Sequence, residues 1–452
     1  MPFDILNTLK SKLILVLTVL FLNLDLILIS ITNIKSNPMV KTILVIVSIL
    51  ITFSGLTAQT SPTASPANPL TYEAYGIVNY YGFNWKTDPQ RRNRIDPERF
   101  AFEPKYQLNK NIAFEVDIEF EHGGTGASME FDRFEEFGQY EQSVEKGGEV
   151  VLEKLAARIT ITPELNFLVG HFYLPIGFYS ERYEPGYFFT TNVSETEAAL
   201  LPLAWHENGI EVYGQTGDFR YQLQLINGLD ASGFSSANWI KRGYQSRFDY
   251  ANAENLALAA NVQYKITRGF SIGASSYFGN SSGNRPKPDV TIPAHVFIGT
   301  LQTVLDAGAW HLRALAIYGT LQNSAAISLA NSGLSNELGV KRTPVGSAAL
   351  GAFAEIGFNV FSLLPSAPMA LGDSIASQEL LPFLRYDYYD TMFKTEGNVI
   401  DNPRWERKSI TAGINYKFHP LVVLKLQFNH RIIGISRDNI ENTFSTGIGF
   451  EL

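Results

Sequence analysis

Residues 409–418 read SITAGINYKF and residues 422–432 read VVLKLQFNHRI. In the first run Ile410, Ala412, Ile414, Tyr416 and Phe418 alternate with Ser409, Thr411, Gly413, Asn415 and Lys417. In the second, Val422, Leu424, Leu426, Phe428 and Ile432 alternate with Lys425, Gln427, Asn429 and Arg431. His419 and Pro420 make a turn between them. After a polar stretch, Phe444, Ile448, Phe450 and Leu452 are set against Ser445, Gly447, Gly449 and Glu451. Period-two alternation gives each strand one apolar and one polar face. The polar faces carry Lys, Arg, Asn and Gln, which suits a water-filled interior, and the apolar faces end in aromatics. The expected fold class is therefore all-β, a transmembrane antiparallel β-barrel, with this stretch as its closing seam.

Working outward, the composition agrees. A chain of 452 residues could hold two or three ordinary domains, but the pattern favours one large barrel. Apolar content of 45% is ordinary, and a mean hydropathy near zero excludes a helical membrane bundle as the main body. The 31 Phe and 21 Tyr suit strands and interfacial girdles, and the absence of cysteine removes disulfides and thiolate metal sites.

Two apolar runs stand at the front, Leu13 to Ile34 and Thr42 to Leu56. The second has the form of a signal peptide over residues 39–58: Met39 and Lys41, an apolar core, then Leu56-Thr57-Ala58 before Gln59. That core, of about fifteen residues, is short for a spanning helix, which needs roughly twenty. The first run carries Asp25, costly at a bilayer centre. The expectation is a leader over residues 1–58, with 1–38 an upstream extension, a Pro/Ser/Ala linker over 59–71, and the barrel over 72–452. Cleavage after Ala58 would take four lysines and two aspartates from 36 basic and 44 acidic residues, leaving a balance of −10. Such a chain is no nucleic-acid binder by bulk charge.

From Tyr72 onward the segments are strand-like, and their connections are of two kinds. Ile112, Phe114, Val116, Ile118 and Phe120 share one face against Glu115, Asp117, Glu119 and Glu121. Leu256, Leu258, Ala260, Val262, Tyr264 and Ile266 share another. Short turns fall near residues 109–111, 162–164, 215–218, 267–269, 306–308 and 419–420. Long polar connections lie near 86–97, 122–148, 178–206, 228–254, 279–294, 321–347, 391–407 and 434–441. Short turns on one side and long loops on the other is the layout of an outer-membrane barrel. The count is about sixteen strands, enough to enclose an aqueous channel. One connection, Leu363 to Gln378, is long and Pro/Ala-rich on the short-turn side, and Gly123-Gly124-Thr125-Gly126 reads as a loop tip.

Several segments resemble the phosphate-selective porin O and P family. They are residues 161–177 (ITPELNFLVGHFYLPIG), 184–192 (EPGYFFTTN), 205–210 (WHENGI), 227–234 (NGLDASGF), 284–289 (NRPKPD), 341–346 (KRTPVG) and 401–407 (DNPRWER). The resemblance spans roughly residues 72–452 and is strongest to a branch of uncharacterised porins. It implies a sixteen-stranded homotrimeric porin in the outer membrane of a Gram-negative bacterium, with loop 3 folded into the pore. One departure matters. Over Phe178 to Ala204 the only basic residue is Arg182, against Glu181, Glu184, Glu195 and Glu197, so the phosphate-selective lysine cluster of that family is missing here.

The third long loop is rich in aromatics and Pro: Tyr179, Tyr183, Pro185, Tyr187, Phe188, Phe189, Pro202 and Trp205. An apolar load of this kind packs against something, and inside a barrel the partner is the inner wall. The candidate pore constriction is thus Glu184, Glu195 and Glu197 from the loop, facing Arg385, Lys417, Lys425 and Arg431 from late strands. Opposed charges across a narrow gap focus a transverse field that filters ions. No Gly-x-Ser-x-Gly, His-Glu-x-x-His or phosphate-binding loop occurs, so no catalytic, cofactor or metal residue is assigned and no enzyme is expected. The expected function is passive diffusion of small hydrophilic solutes or ions, with outer-membrane lipid as surroundings. The alternatives are a closed-lumen surface-display or adhesin barrel and, third, a barrel hydrolase.

Overall fold

The computed structural model describes residues 69–126, 130–131, 142–143, 148–180, 182–245, 250–334, 343–363 and 378–452. The expected leader, most of the linker, Glu181 and the 364–377 connection lie outside the described residues.

The strands are β1 (Leu70–Trp85), β2 (Arg94–Gln107), β3 (Ile112–Gly126), β4 (Glu130–Phe131), β5 (Gln142–Ser143), β6 (Gly148–Thr162), β7 (Leu165–Tyr173), β8 (His206–Thr216) and β9 (Phe219–Asn227). They continue with β10 (Leu256–Thr267), β11 (Phe270–Asn280), β12 (His295–Ala307), β13 (Trp310–Leu321), β14 (Ala348–Phe358), β15 (Glu379–Lys394), β16 (Glu406–His419), β17 (Val422–Ile433) and β18 (Ile440–Glu451). The two-residue strands β4 and β5 pair only with each other. The other sixteen close into one antiparallel barrel, each bonded to its neighbours in sequence. β18 completes the ring against β1, from Tyr75↔Glu451 to Trp85↔Glu441. Closure removes every free edge, which is what lets a sheet stand in hydrocarbon.

The alternation read from the sequence sets the two faces. On β17, Leu424, Leu426 and Phe428 are exposed on the outside, while Lys425 between them is buried inside; Ile410 and Ile414 on β16 and Leu258, Val262 and Tyr264 on β10 also point outward. An outward apolar band is the lipid face of an outer-membrane barrel. The carboxylates of Asp117 and Glu119 on β3 are buried on the inner side, where the Arg99 guanidinium lies against Glu119 and reaches Glu153 at 3.3 Å.

Two local readings change. Gly123-Gly124-Thr125-Gly126 is no loop tip but the end of β3. There Gly123 (φ +84°) and Gly124 (φ +101°) take up a register shift between the pairs Glu121↔Glu149 and Gly126↔Gly148. Two short helices also occur in the long loops: α1 (Glu195–Leu200) and α2 (Ser324–Ser332). At six and nine residues they are too short to leave a clear helical period. Ser194 caps α1 by accepting the Glu197 amide on Oγ at 3.1 Å.

A larger difference concerns the lumen. The sequence reading finds a polar inner face on the clear strands and leaves 148–161 and 293–305 less clear. On β12 and β13, however, Val296, Ile298, Leu315, Ile317 and Leu321 are buried inside, while Phe297, Leu301 and Tyr318 are exposed outside. These strands are apolar on both faces because a second loop, 228–255, also folds inward. It seats Leu229, Phe234, Trp239 and Ile240, all fully buried, in one cluster with the inner faces of β10 to β14 and with loop 3. Trp239 lies so close to β13 that a Cβ added at Gly319 would stand 1.9 Å from its Cη2. The inner face of the barrel is in part a packed apolar core.

Candidate functional site

Loop 3 leaves β7 at Leu174 and returns to β8 through Trp205, held at its root by the Leu174 amide on the Trp205 carbonyl at 2.7 Å. Its aromatics build its own packing: Phe178 stacks near Tyr187 with centroids 5.7 Å apart, Tyr179 stands edge-on to Phe188 at 5.8 Å, and Trp205 meets Tyr277 of β11 at 5.0 Å. The loop then crosses the lumen to the far wall. Tyr179 donates its hydroxyl to Glu355 of β14 at 3.2 Å, Thr191 its amide to Gln427 of β17 at 2.9 Å, and Gly186 its amide to Glu451 of β18 at 2.8 Å. Thr196 donates both amide (3.2 Å) and hydroxyl (3.1 Å) to Asp387 of β15.

The seven charged residues singled out by sequence fall into three groups. Glu195 and Arg431 meet, Oε2 to Nη1 at 3.5 Å, and Arg431 also donates from Nε to Glu441 at 2.6 Å. This pair ties the loop to the wall by contact across no gap. Glu197, Arg385 and Lys425 are buried under the loop. Glu197 Oε1 accepts the amides of Phe178 and Tyr179 at 2.8 and 2.9 Å, Arg385 donates to Glu355 at 2.7 Å, and Lys425 donates to the carbonyls of Phe188 and Thr190, each at 2.7 Å. Burial pushes the Glu197 carboxyl up to about 7 despite its two backbone donors. Lys417 and Glu184 stand in the open: Lys417 is 3.8 Å from Glu379, and Glu184 faces free space beside the loop, its carboxyl raised by burial.

That free space is the part sequence reasoning missed. A cavity of about 250 Å³ lies between loop 3 and the inner walls of β1, β2 and β6 to β9, with Glu103, Lys154, Arg182, Glu184 and Arg220 on its lining. A second, of about 150 Å³, lies between the loop and β9 to β12, lined by Asn261, Gln263, Ser271, Gln302 and Asp306 among others. Ser180, Arg182 and Arg220 line both. Arg220 is the second residue of β9, after the turn at Gly217-Asp218, so its strand position was readable, but nothing in the sequence says that loop 3 would leave room above it. Among the described residues no group of three or more His, Asp and Glu is placed to hold a metal ion.

Comparison with known proteins agrees at the level of the fold. No family model matches the chain. An uncharacterized protein of Aquifex aeolicus is 23% identical over 389 residues, 86% of this chain and 81% of that protein. Among solved structures, Salmonella typhi OmpF in complex with daunomycin matches with TM-score 0.50 at 11% identity, over 85% of this chain and 97% of OmpF. OmpT of Vibrio cholerae (TM-score 0.47, 10% identity, 86% and 99%) and OprB of Pseudomonas putida (0.48, 9%, 85% and 94%) lie in the same range. The chain has the closed β-barrel fold that OmpF shows.

Two expectations are corrected by these findings. The likeness to the phosphate-selective porin O and P family narrows to a likeness among outer-membrane barrels, since no family model takes the chain in and the matched structures share only its architecture. The expectation of no enzyme is withdrawn as well. The matched OmpF barrel shares only a fold with this chain, and a fold alone leaves catalysis open.

Proposed function

We propose that this barrel is a narrow diffusion channel for small hydrophilic solutes or ions, its bore set by loop 3. The observation that carries the reading is the pair of polar-lined cavities that share Ser180, Arg182 and Arg220 and lie beside a loop otherwise fixed to the opposite wall. In this reading Glu184 belongs to the narrow section. Glu195, Glu197, Arg385, Lys425 and Arg431 hold the loop in place, and Lys417 sits where the loop meets β16. Fixed charges beside a narrow bore act on passing solutes more strongly than the same charges in bulk water. The channel works as a homotrimer, which native mass spectrometry of the detergent-solubilised protein reads directly.

A second reading is a closed barrel acting through its outer loops. It is favoured by the apolar packing of loops 3 and 228–255 inside the lumen and by an outer cleft of about 910 Å³ between α2 and residues 397–405. Single-channel recording in planar bilayers separates the two. A diffusion channel gives stepwise ohmic currents that grow when residues 182–192 are shortened. A silent bilayer with correctly folded protein would support the closed barrel.

A further inference from the structure

Resting on the channel reading, we infer that the 250 Å³ cavity beneath loop 3 is a subsite for a small zwitterionic solute, one carrying a carboxylate and an ammonium a few ångströms apart. Its lining holds charges of both signs, and most are committed to neighbours. Arg99 lies against Glu119 and Glu153, and Lys154 is 3.6 Å from Glu115. Arg182, Arg220, Glu103 and Glu184 also line the cavity, and none of them enters an ion pair with another described residue, the Arg182 guanidinium standing 5.1 Å from the centroid of the Tyr187 ring. The two guanidiniums stand with the Ser180 hydroxyl at the neck shared with the neighbouring cavity. The two carboxylates line the larger cavity alone, on β2 and on the loop.

The cavity thus offers cationic donors and anionic acceptors within one enclosed space. A simple anion meets the guanidiniums but also the carboxylates; a simple cation meets the reverse. A zwitterion satisfies both at once, and Arg forks are suited to bidentate carboxylate recognition. The volume fits: water occupies about 30 Å³ in the liquid, so the cavity holds a solute of several heavy atoms. The chain's overall acidic balance plays no part, because the charges that meet the solute are the four outside ion pairs.

The test uses three probes of nearly one shape: L-alanine, propionate and isopropylammonium. Binding to the refolded full barrel in detergent micelles is followed by saturation-transfer NMR, which needs no current to flow. L-alanine should bind at least tenfold more tightly than either singly charged probe. The double variant R182Q/R220Q and the single variant E184Q should each bring alanine down to their level. Equal binding of propionate and alanine would overturn the proposal in favour of an anion site, and absence of binding by all three would overturn it outright. Parallel bilayer recording keeps the channel reading separate: alanine binding without current would sink the channel and leave the subsite, whereas current without alanine discrimination would do the opposite.

Discussion

Lys425 shows how one residue can hold loop 3 against the wall. Its ammonium is buried, donates to two loop carbonyls at 2.7 Å and lies 3.8 Å from the Phe188 ring centroid. A charge at that depth is tolerated because carbonyl dipoles and a ring face replace its water. Lys425→Met keeps the length of the side chain and removes the donors, leaving two carbonyls short of partners. The expected cost is about 2–4 kcal/mol, read as a lower urea midpoint of the refolded barrel. An unchanged midpoint would mean the loop is held without it. Glu197 makes a different prediction. Its carboxyl titrates at about 7 in the folded loop against the ordinary 4.5, so the folded state binds the extra proton. The resulting stabilisation is full below pH 4.5 and is lost as pH rises through 7, on the order of 3 kcal/mol in all. Glu197→Gln keeps an acceptor for the Phe178 and Tyr179 amides and should flatten the pH dependence of unfolding between pH 5 and 8. A slope identical in both proteins would assign it to another group.

At the scale of the element, the two inward loops differ in how plainly they announce themselves. Loop 3 carries seven aromatic and three Pro residues between Leu174 and Trp205, and its burial could be argued from that load alone. Loop 228–255 spreads Phe234, Trp239 and Ile240 among Gly, Ser and Asn, a composition that reads as a solvated loop. The clue lay in the strands beneath it: Val296-Phe297-Ile298 has no polar alternate, and such a run means burial on both faces. The strand and turn pattern was legible because period two recurs in most strands, as in Ile410 to Phe418 and Val422 to Ile432. The cavities were not, since a void depends on how two loops stack and no single residue encodes it. Gly319 tests the second loop. Its missing side chain admits the Trp239 ring, so Gly319→Leu should expel the indole, and Trp239→Ala should leave a hole costing about 3–5 kcal/mol. Tryptophan fluorescence of G319L should shift to the red relative to the parent. An unshifted spectrum would show that the ring finds room elsewhere.

For the whole molecule, what matters is that one closed sheet separates two solvents. Its outer face meets hydrocarbon and its inner face meets water or the folded-in loops, so the effect of a substitution depends on parity more than on chemistry. Val262 and Gln263 make the cleanest pair, adjacent near the middle of β10, one exposed outward and the other lining the smaller cavity. Arginine at 262 places a guanidinium in the lipid, which costs about 2–4 kcal/mol near the midplane of a barrel. Arginine at 263 extends into the hydrated space beside Ser271 and Gln302 and should change stability by no more than about 0.5 kcal/mol, as substitutions outside packed contacts do. Folding titrations into lipid bilayers measure both on one scale. Equal penalties would mean that the wall facing the cavity is as dry as the wall facing lipid, and the path beside loop 3 would then carry no water. A penalty confined to Val262→Arg requires the inner side to be wet at the height of loop 3, which a channel needs and a sealed barrel does not.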